Sequence, residues 1–294
     1  MKLRALIIQA SALVLALVVA GCSDDKSDTM KPSSKISGET MPGISVQLWS
    51  VKDELKADFK GTLEQIADMG FDGVEFAGDF GPYTNDPKGL KTYLDSLGLK
   101  ASGAHVGTAT LMENLDDTAA FYQHLGIQAL IIPWDDRAFD GDRVHELIDD
   151  LKTIDRGLKP YKMQVGYHNH AEEWADYAGT SYYEFIAANT PDSVILQQDV
   201  GWTLHAQKDP IAFVQAHPGR IFTTHFKSDV ENQPGATPLI GQDDIDWLAI
   251  FTATVKHGGA SWIVLEQEAY PNGMRPMEAL QASKKGFDHV LQAQ

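Results

Sequence analysis

The chain has 294 residues, with 41 acidic against 24 basic side chains and a formal net charge of −17. A hydrophobic share of 43% and a charged share of 22% describe an ordinary globular chain and exclude wholesale disorder. The acidic excess argues against nucleic acid as a partner, because phosphates are repelled, and a single cysteine leaves no intrachain disulfide and no cysteine-based metal site.

The first element in chain order is a positive end. Lys2 and Arg4 precede a mainly apolar run from Ala5 to Ala20, which leads into Val19-Ala20-Gly21-Cys22. A basic start, a greasy centre, small residues and a cysteine resemble a bacterial lipoprotein signal. On this reading residues 1–21 are removed, Cys22 is acylated, and residues 22–43, polar and Ser-rich, form a flexible tether. The expectation is an exported cell-envelope lipoprotein, on the periplasmic face or the outer membrane, that meets the membrane through its lipid anchor alone.

From Ile44 onward, short apolar runs alternate with amphipathic stretches. The runs are ISVQLW (44–49), GVEFAG (73–78), ASGAHVG (101–107), ALIIPW (129–134), MQVGYHNH (163–170), SVILQQDVGW (193–202), RIFTTHFKS (220–228) and SWIVLEQE (261–268). Between them the spacing predicts helices over 59–69, 86–97, 114–125, 142–158, 181–189, 210–216, 244–255 and 276–292. Eight strand–helix pairs predict a single (β/α)8 TIM barrel, of the α/β class, over residues 44–294. An open doubly wound sheet would carry a Gly-rich phosphate turn after its first strand, where this chain has Trp49-Ser50-Val51-Lys52. Residues 229–242 read as a loop over the barrel mouth.

A barrel places its chemistry at the C-terminal ends of its strands. Those ends carry Gln47 and Trp49, Glu75, His105, Trp134, His168 and His170, Asp199, His225 and Lys227, and Glu266 and Glu268. A plain core would reject them, since unpaired buried charge is costly. Side chains two apart on a strand share a face, so His168 joins His170, His225 joins Lys227, and Glu266 joins Glu268. Asp199, His225 and Glu266 come from three consecutive strands and converge on one axis, a donor set that suits Mn²⁺, Mg²⁺, Co²⁺ or Zn²⁺. His168, from the strand before, completes a four-sided cage. The polar strand ends Gln47, Glu75, His105, His170 and Glu268 are able to bind a metal or a sugar, or to move a proton, and Trp49, Trp134 and Trp202 add aromatic rings, either for stacking on a ligand or for the core. His124, His145, His257 and His289 fall on predicted helices, exposed.

The pieces QLWSVKD (47–53), GFDGVEFAG (70–78), SGAHVG (102–107), YHNHAEEW (167–174), DVGW (199–202), HFKSD (225–229) and VLEQE (264–268) together resemble the xylose isomerase-like TIM barrel superfamily, the sugar phosphate isomerase/epimerase group, over residues 44–294. The resemblance implies one divalent metal held from strands five to eight, usually by Glu, Asp, His and Glu. By position these become His168, Asp199, His225 and Glu266, with His168 a departure from the carboxylate. It also points to Glu172 or Glu173 as the carboxylate that replaces it, with Glu173 favoured by its place in an HNHxxE pattern.

The chemistry implied is metal-dependent isomerisation or epimerisation of an unphosphorylated sugar or keto-sugar. Glu266 or Glu173 takes a C–H proton and Lys227 steadies the enediolate. A 3-keto-glycoside or inosose lyase shares that first step. A non-catalytic, lipid-anchored sugar-binding protein is the reading from another class; it needs no metal. The export signal and the lack of an Arg/Lys cluster with a Gly-rich turn favour an unphosphorylated ligand.

Overall fold

The computed structural model describes residues 41–231 and 233–292. The signal segment, Cys22 and the tether up to residue 40 lie outside the described residues.

Eight strands form one parallel sheet: β1 (Gly43–Gln47), β2 (Gly73–Phe76), β3 (Lys100–His105), β4 (Ala129–Ile132), β5 (Gln164–His168), β8 (Ile195–Gln197), β9 (Thr223–Lys227) and β10 (Trp262–Glu266). A two-stranded hairpin, β6 (Asp176–Tyr177) and β7 (Thr180–Ser181), sits between β5 and β8 in the chain. The order is β8-β5-β4-β3-β2-β1-β10-β9, with every neighbouring pair parallel. The two ends of that order meet. Asp199 bridges to His225, and the His225 amide donates to the Gln198 carbonyl at 2.9 Å, so the sheet curls into a nearly closed barrel.

Each expected apolar run overlaps one strand, with β1 and β3 starting one residue earlier than their runs. The sixth is shorter than its run: β8 stops at Gln197, and Asp199 turns the chain into a helix by accepting the Trp202 amide at 2.8 Å. The expected helices are α2 (Phe59–Asp68), α3 (Pro87–Ser96), α5 (Leu115–Leu125), α6 (Val144–Leu158), α7 (Tyr182–Asn189), α9 (Pro210–Ala216), α10 (Trp247–Ala253) and α11 (Pro276–Gln292). Three short helices were not expected: α1 (Lys52–Ala57), α4 (Thr108–Glu113) and α8 (Val200–His205). Each is six residues long, too short for a helical period to stand out.

Local chemistry sets the boundaries. Asp86 caps α3 ahead of Pro87, and Asp209 caps α9 ahead of Pro210, where a residue without an N–H costs nothing. Gly126 ends α5 with φ of 81°, a conformation that a side chain resists. His124, His145, His257 and His289 are exposed, as their helical positions implied.

Outward-facing strand residues such as Val74, Phe76, Ile132, Val165, Leu196 and Leu265 are buried beneath the helices. Burial of each is worth roughly 1.5–3 kcal/mol, which makes this ring the main source of stability. Inside the barrel, Ala129, Ile131 and Ile195 form a separate apolar plug with Phe222 packed on it. Above the plug the inward positions turn polar, and the functional side chains begin there.

The segment between β9 and α10 has neither helix nor strand among its described residues. Its second half is anchored rather than free. Leu239 and Ile240 are fully buried, the Ile240 amide donates to Ser283 Oγ on α11, and Gln267 Nε2 donates to the Pro238 carbonyl. Apolar anchors pull the loop down against α11.

Candidate active site

Four side chains from four adjacent strand ends converge. One ligand atom from each of His168, Asp199, His225 and Glu266 lies within 4.8 Å of the others, and all four residues are buried. His225 Nδ1 is 3.0 Å from Glu266 Oε2, and His168 Nε2 is 3.8 Å from Asp199 Oδ2. Asp199 divides its oxygens: Oδ1 caps α8, while Oδ2 is buried without a hydrogen-bond partner. Its amide is tied to Asn169 Oδ1 at 3.0 Å, which fixes the turn that presents it.

Burial and the neighbouring charges set the protonation of the cluster. Burial pushes the Asp199 carboxyl up to about 6, against the pull of Lys227. Burial also opposes charge on Glu266, but Lys227 and His225 outweigh it and hold Glu266 at about 2. Burial opposes charge on His225 too, yet Glu75 and Glu266 raise it to about 10. His168 goes the other way: burial, then His225 and His105, keep it well below the ordinary imidazole value, and so neutral. Two imidazoles and two carboxylates, one with an oxygen that takes no hydrogen bond, form a donor set that fits a divalent ion such as Zn²⁺ or Mn²⁺.

Lys227 flanks the cluster. Its ammonium is 3.4 Å from Asp199 Oδ2, 3.8 Å from Glu266 Oε2 and 2.8 Å from Glu268 Oε2, and 4.3 Å above the Trp202 ring. These carboxylates keep it firmly protonated, overriding burial.

The cluster opens into a pocket of about 370 Å³, within the range of small-molecule sites. Trp49, His105, Trp134, His168, His170, Lys227, Glu266 and Glu268 line it, with Ala77 and Pro133. Trp49 and Trp134 stand at its rim, 45% and 42% exposed. Their indole N–H groups are pinned by Glu268 and Asp136, so the rings are held in place. His170 is held neutral: burial and then Lys227 lower it to about 4, and its Nδ1 is buried without a partner.

Four expected site residues lie elsewhere. Glu75 is fully buried beneath the cluster and does not line the pocket. Oε2 accepts from His225 Nε2 at 2.6 Å and Gln47 Nε2 at 2.9 Å, and Oε1 accepts from Gln197 Nε2 at 2.9 Å. Gln47 is equally buried, with its other end receiving the Trp49 amide. Neither can reach a sugar hydroxyl. Gly103 makes the Glu75 position possible, since a Cβ there would fall 2.8 Å from Glu75 Oε1. Glu173 cannot serve as the base: it accepts from the Tyr167 hydroxyl and the His170 amide, both at 2.7 Å, and is buried behind the loop it fastens. Trp202 lies under Lys227 and against His170, away from the pocket surface.

Gln197 was missed. It sits on β8 two residues before Asp199, and that spacing alone puts both on the inward face. It is fully buried, and its Oε1 faces His105 Nε2 at 2.9 Å and His168 Nδ1 at 3.0 Å.

With this geometry in hand, sequence and fold comparisons agree. The family model for the xylose isomerase-like TIM barrel matches residues 63–291. The chain belongs to that family. It is similar to an inosose dehydratase of Lacticaseibacillus casei, 25% identical over 85% of this chain and 96% of that one. Among solved structures, a sugar phosphate isomerase/epimerase from Parabacteroides distasonis superposes with a TM-score of 0.70 at 24% identity, covering 82% of this chain and 96% of that one. The IOLI protein with a bound zinc atom superposes with a TM-score of 0.65 at 16% identity, covering 85% and 98%. The His168, Asp199, His225 and Glu266 side chains are close enough to share one ion.

Proposed function

We propose that this protein is a lyase that removes a proton from the carbon beside a carbonyl of an unphosphorylated keto-cyclitol or keto-sugar, then expels the β-oxygen substituent. The observation that carries the reading is the convergence of His168, Asp199, His225 and Glu266 beside the Lys227 ammonium, with His168, Glu266 and Lys227 lining one pocket. A divalent cation held by these four residues would polarise the substrate's carbonyl and acidify the neighbouring C–H.

The chain's own groups do the rest. Lys227 donates a hydrogen bond to the oxygen that gains negative charge. His170, which lines the pocket and is neutral, is the better base, because Glu266 is engaged by His225. As the C–H pair forms the new double bond, the β C–O bond breaks. The leaving oxygen takes up a proton and departs as water or an alcohol.

Elimination is favoured over epimerisation for two reasons. Both carboxylates that line the pocket, Glu266 and Glu268, come from the end of β10, whereas the facing wall carries His168, His170 and Trp134. A pair of carboxylate bases on opposite faces of a sugar would need one on that wall, and Glu173 is turned away. The inosose dehydratase relatives support the same choice. Lys227 is the only basic residue in the lining apart from the histidines, and it is paired with carboxylates, which supports a substrate without phosphate. The signal in residues 1–22 supports action at the cell envelope by a lipid-anchored protein.

The test uses the full chain loaded with Mn²⁺ or Zn²⁺ and a panel of inososes and 3-keto-glycosides in D₂O. Deuterium entry at the carbon beside the carbonyl, with appearance of an ultraviolet-absorbing enone, supports the lyase; His170→Gln should stop both. Interconversion of isomers without enone would instead make it an epimerase. Sugar binding with neither exchange nor enone would make it a binding protein and end the enzyme reading.

A further inference from the structure

Gln197 stands at the junction of two imidazoles and one carboxylate, and its orientation can be deduced rather than assumed. Gln47 Oε1 receives the Trp49 backbone amide, so the Gln47 amino group must be the end that faces Glu75. Glu75 thus sits among donors: Gln47 Nε2 at 2.9 Å, His225 Nε2 at 2.6 Å and His105 Nε2 at 3.3 Å. A carboxylate so placed accepts only, which forces the amino end of Gln197 onto its remaining oxygen at 2.9 Å. The Gln197 carbonyl oxygen must then point the other way, to His105 Nε2 at 2.9 Å and His168 Nδ1 at 3.0 Å. Both ring nitrogens are obliged to be donors. His168 therefore carries its hydrogen on Nδ1 and keeps the lone pair on Nε2, the nitrogen 3.8 Å from Asp199 Oδ2.

We infer that Gln197 is a positioning residue that makes His168 a ligand, by fixing its tautomer through an amide whose direction is dictated by Glu75. The inference rests on the reading that the His168–Asp199–His225–Glu266 cluster holds a divalent cation. It extends that reading to a residue that touches neither cation nor substrate. A histidine can stand where a carboxylate is usual only if the nitrogen facing the cluster is free, and Gln197 imposes that condition. Outer partners of this kind typically govern metal affinity by about 10- to 100-fold.

The experiment compares three full-length proteins: wild type, Gln197→Met, and the exchange variant Glu75→Gln with Gln197→Glu. In the exchange variant a carboxylate at 197 still accepts from His105 and His168. An amide at 75 still accepts from His225 and donates to position 197, so every imidazole keeps its tautomer. Zn²⁺ affinity is measured by chelator competition, and the Co²⁺ absorption spectrum reports the ligand field. Gln197→Met is expected to bind Zn²⁺ about 10- to 100-fold more weakly with an altered Co²⁺ spectrum. The exchange variant should return to within about threefold of wild type, with the wild-type spectrum and His168 hydrogen on Nδ1 by ¹⁵N NMR.

Equal affinity and an unchanged spectrum in Gln197→Met would overturn the inference while leaving the cation site intact. A wild-type protein that binds no divalent ion would overturn both. Should Gln197→Met fail to fold, the exchange variant decides: folded but without recovered affinity, it refutes the positioning role.

Discussion

Loading a divalent cation into the cluster must expel protons, and the count follows from each ligand's surroundings. In the cation-free protein Glu75 and Glu266 hold His225 at about 10 despite its burial, so near pH 7.5 its Nδ1 carries a proton that a cation must displace. Asp199, raised by burial to about 6, is mostly ionised at that pH and half protonated at about pH 6. Glu266 at about 2 is already ionised, and His168 is already neutral. The expected release is about one proton near pH 7.5, rising to roughly 1.5 at about pH 6. The sign follows: groups that bind protons more tightly in the empty site make cation affinity fall as pH falls. Affinity should climb about tenfold, or ~1.4 kcal/mol, per pH unit between about 6 and 10, and level off above. Titration calorimetry in buffers of different ionisation enthalpy reads the count directly. A value near zero at about pH 7.5 would show that His225 Nδ1 is not displaced, and would refute the ligand assignment.

Other outcomes follow from the same geometry. Lys227→Met should lower kcat by roughly 100- to 1000-fold, as loss of a charge that faces a developing oxyanion does, while Zn²⁺ affinity rises because a competing cation is gone; steady-state kinetics with chelator competition check both. Trp49→Ala and Trp134→Ala should each raise KM by about 3- to 10-fold with little change in kcat, as expected of rim rings worth about 0.5–1.5 kcal/mol in stacking. Glu173→Ala should cost about 1–3 kcal/mol in urea unfolding, because it strands the buried Tyr167 hydroxyl and the His170 amide, yet leave Zn²⁺ affinity within about threefold of wild type.

Much of the barrel was legible because polar residues at the ends of apolar runs are expensive unless they meet partners. That cost singled out Asp199, His225 and Glu266, and period-two spacing added His168 and His170. Depth along the barrel axis was not legible. Glu75 pairs in register with Gln47 and Gly103, a level below the pocket floor, and strand stagger rather than local sequence sets that level. Glu173 was misread because a short 3₁₀ turn, Glu172–Trp174, folds it back onto Tyr167 and the His170 amide. Gln197 was overlooked because it precedes the strand-ending acid instead of closing the run. Spacing of two from Asp199 was the available signal.

Asp199 serves the scaffold and the cluster with separate oxygens, so one residue carries two tasks that can be separated. An asparagine there can still receive the Trp202 amide but offers the cluster no charge, whereas an alanine forfeits both. Hydrogen-exchange protection at the Trp202 amide is therefore a local gauge that reports helix capping independently of ion occupancy, and the two properties should come apart in Asp199→Asn.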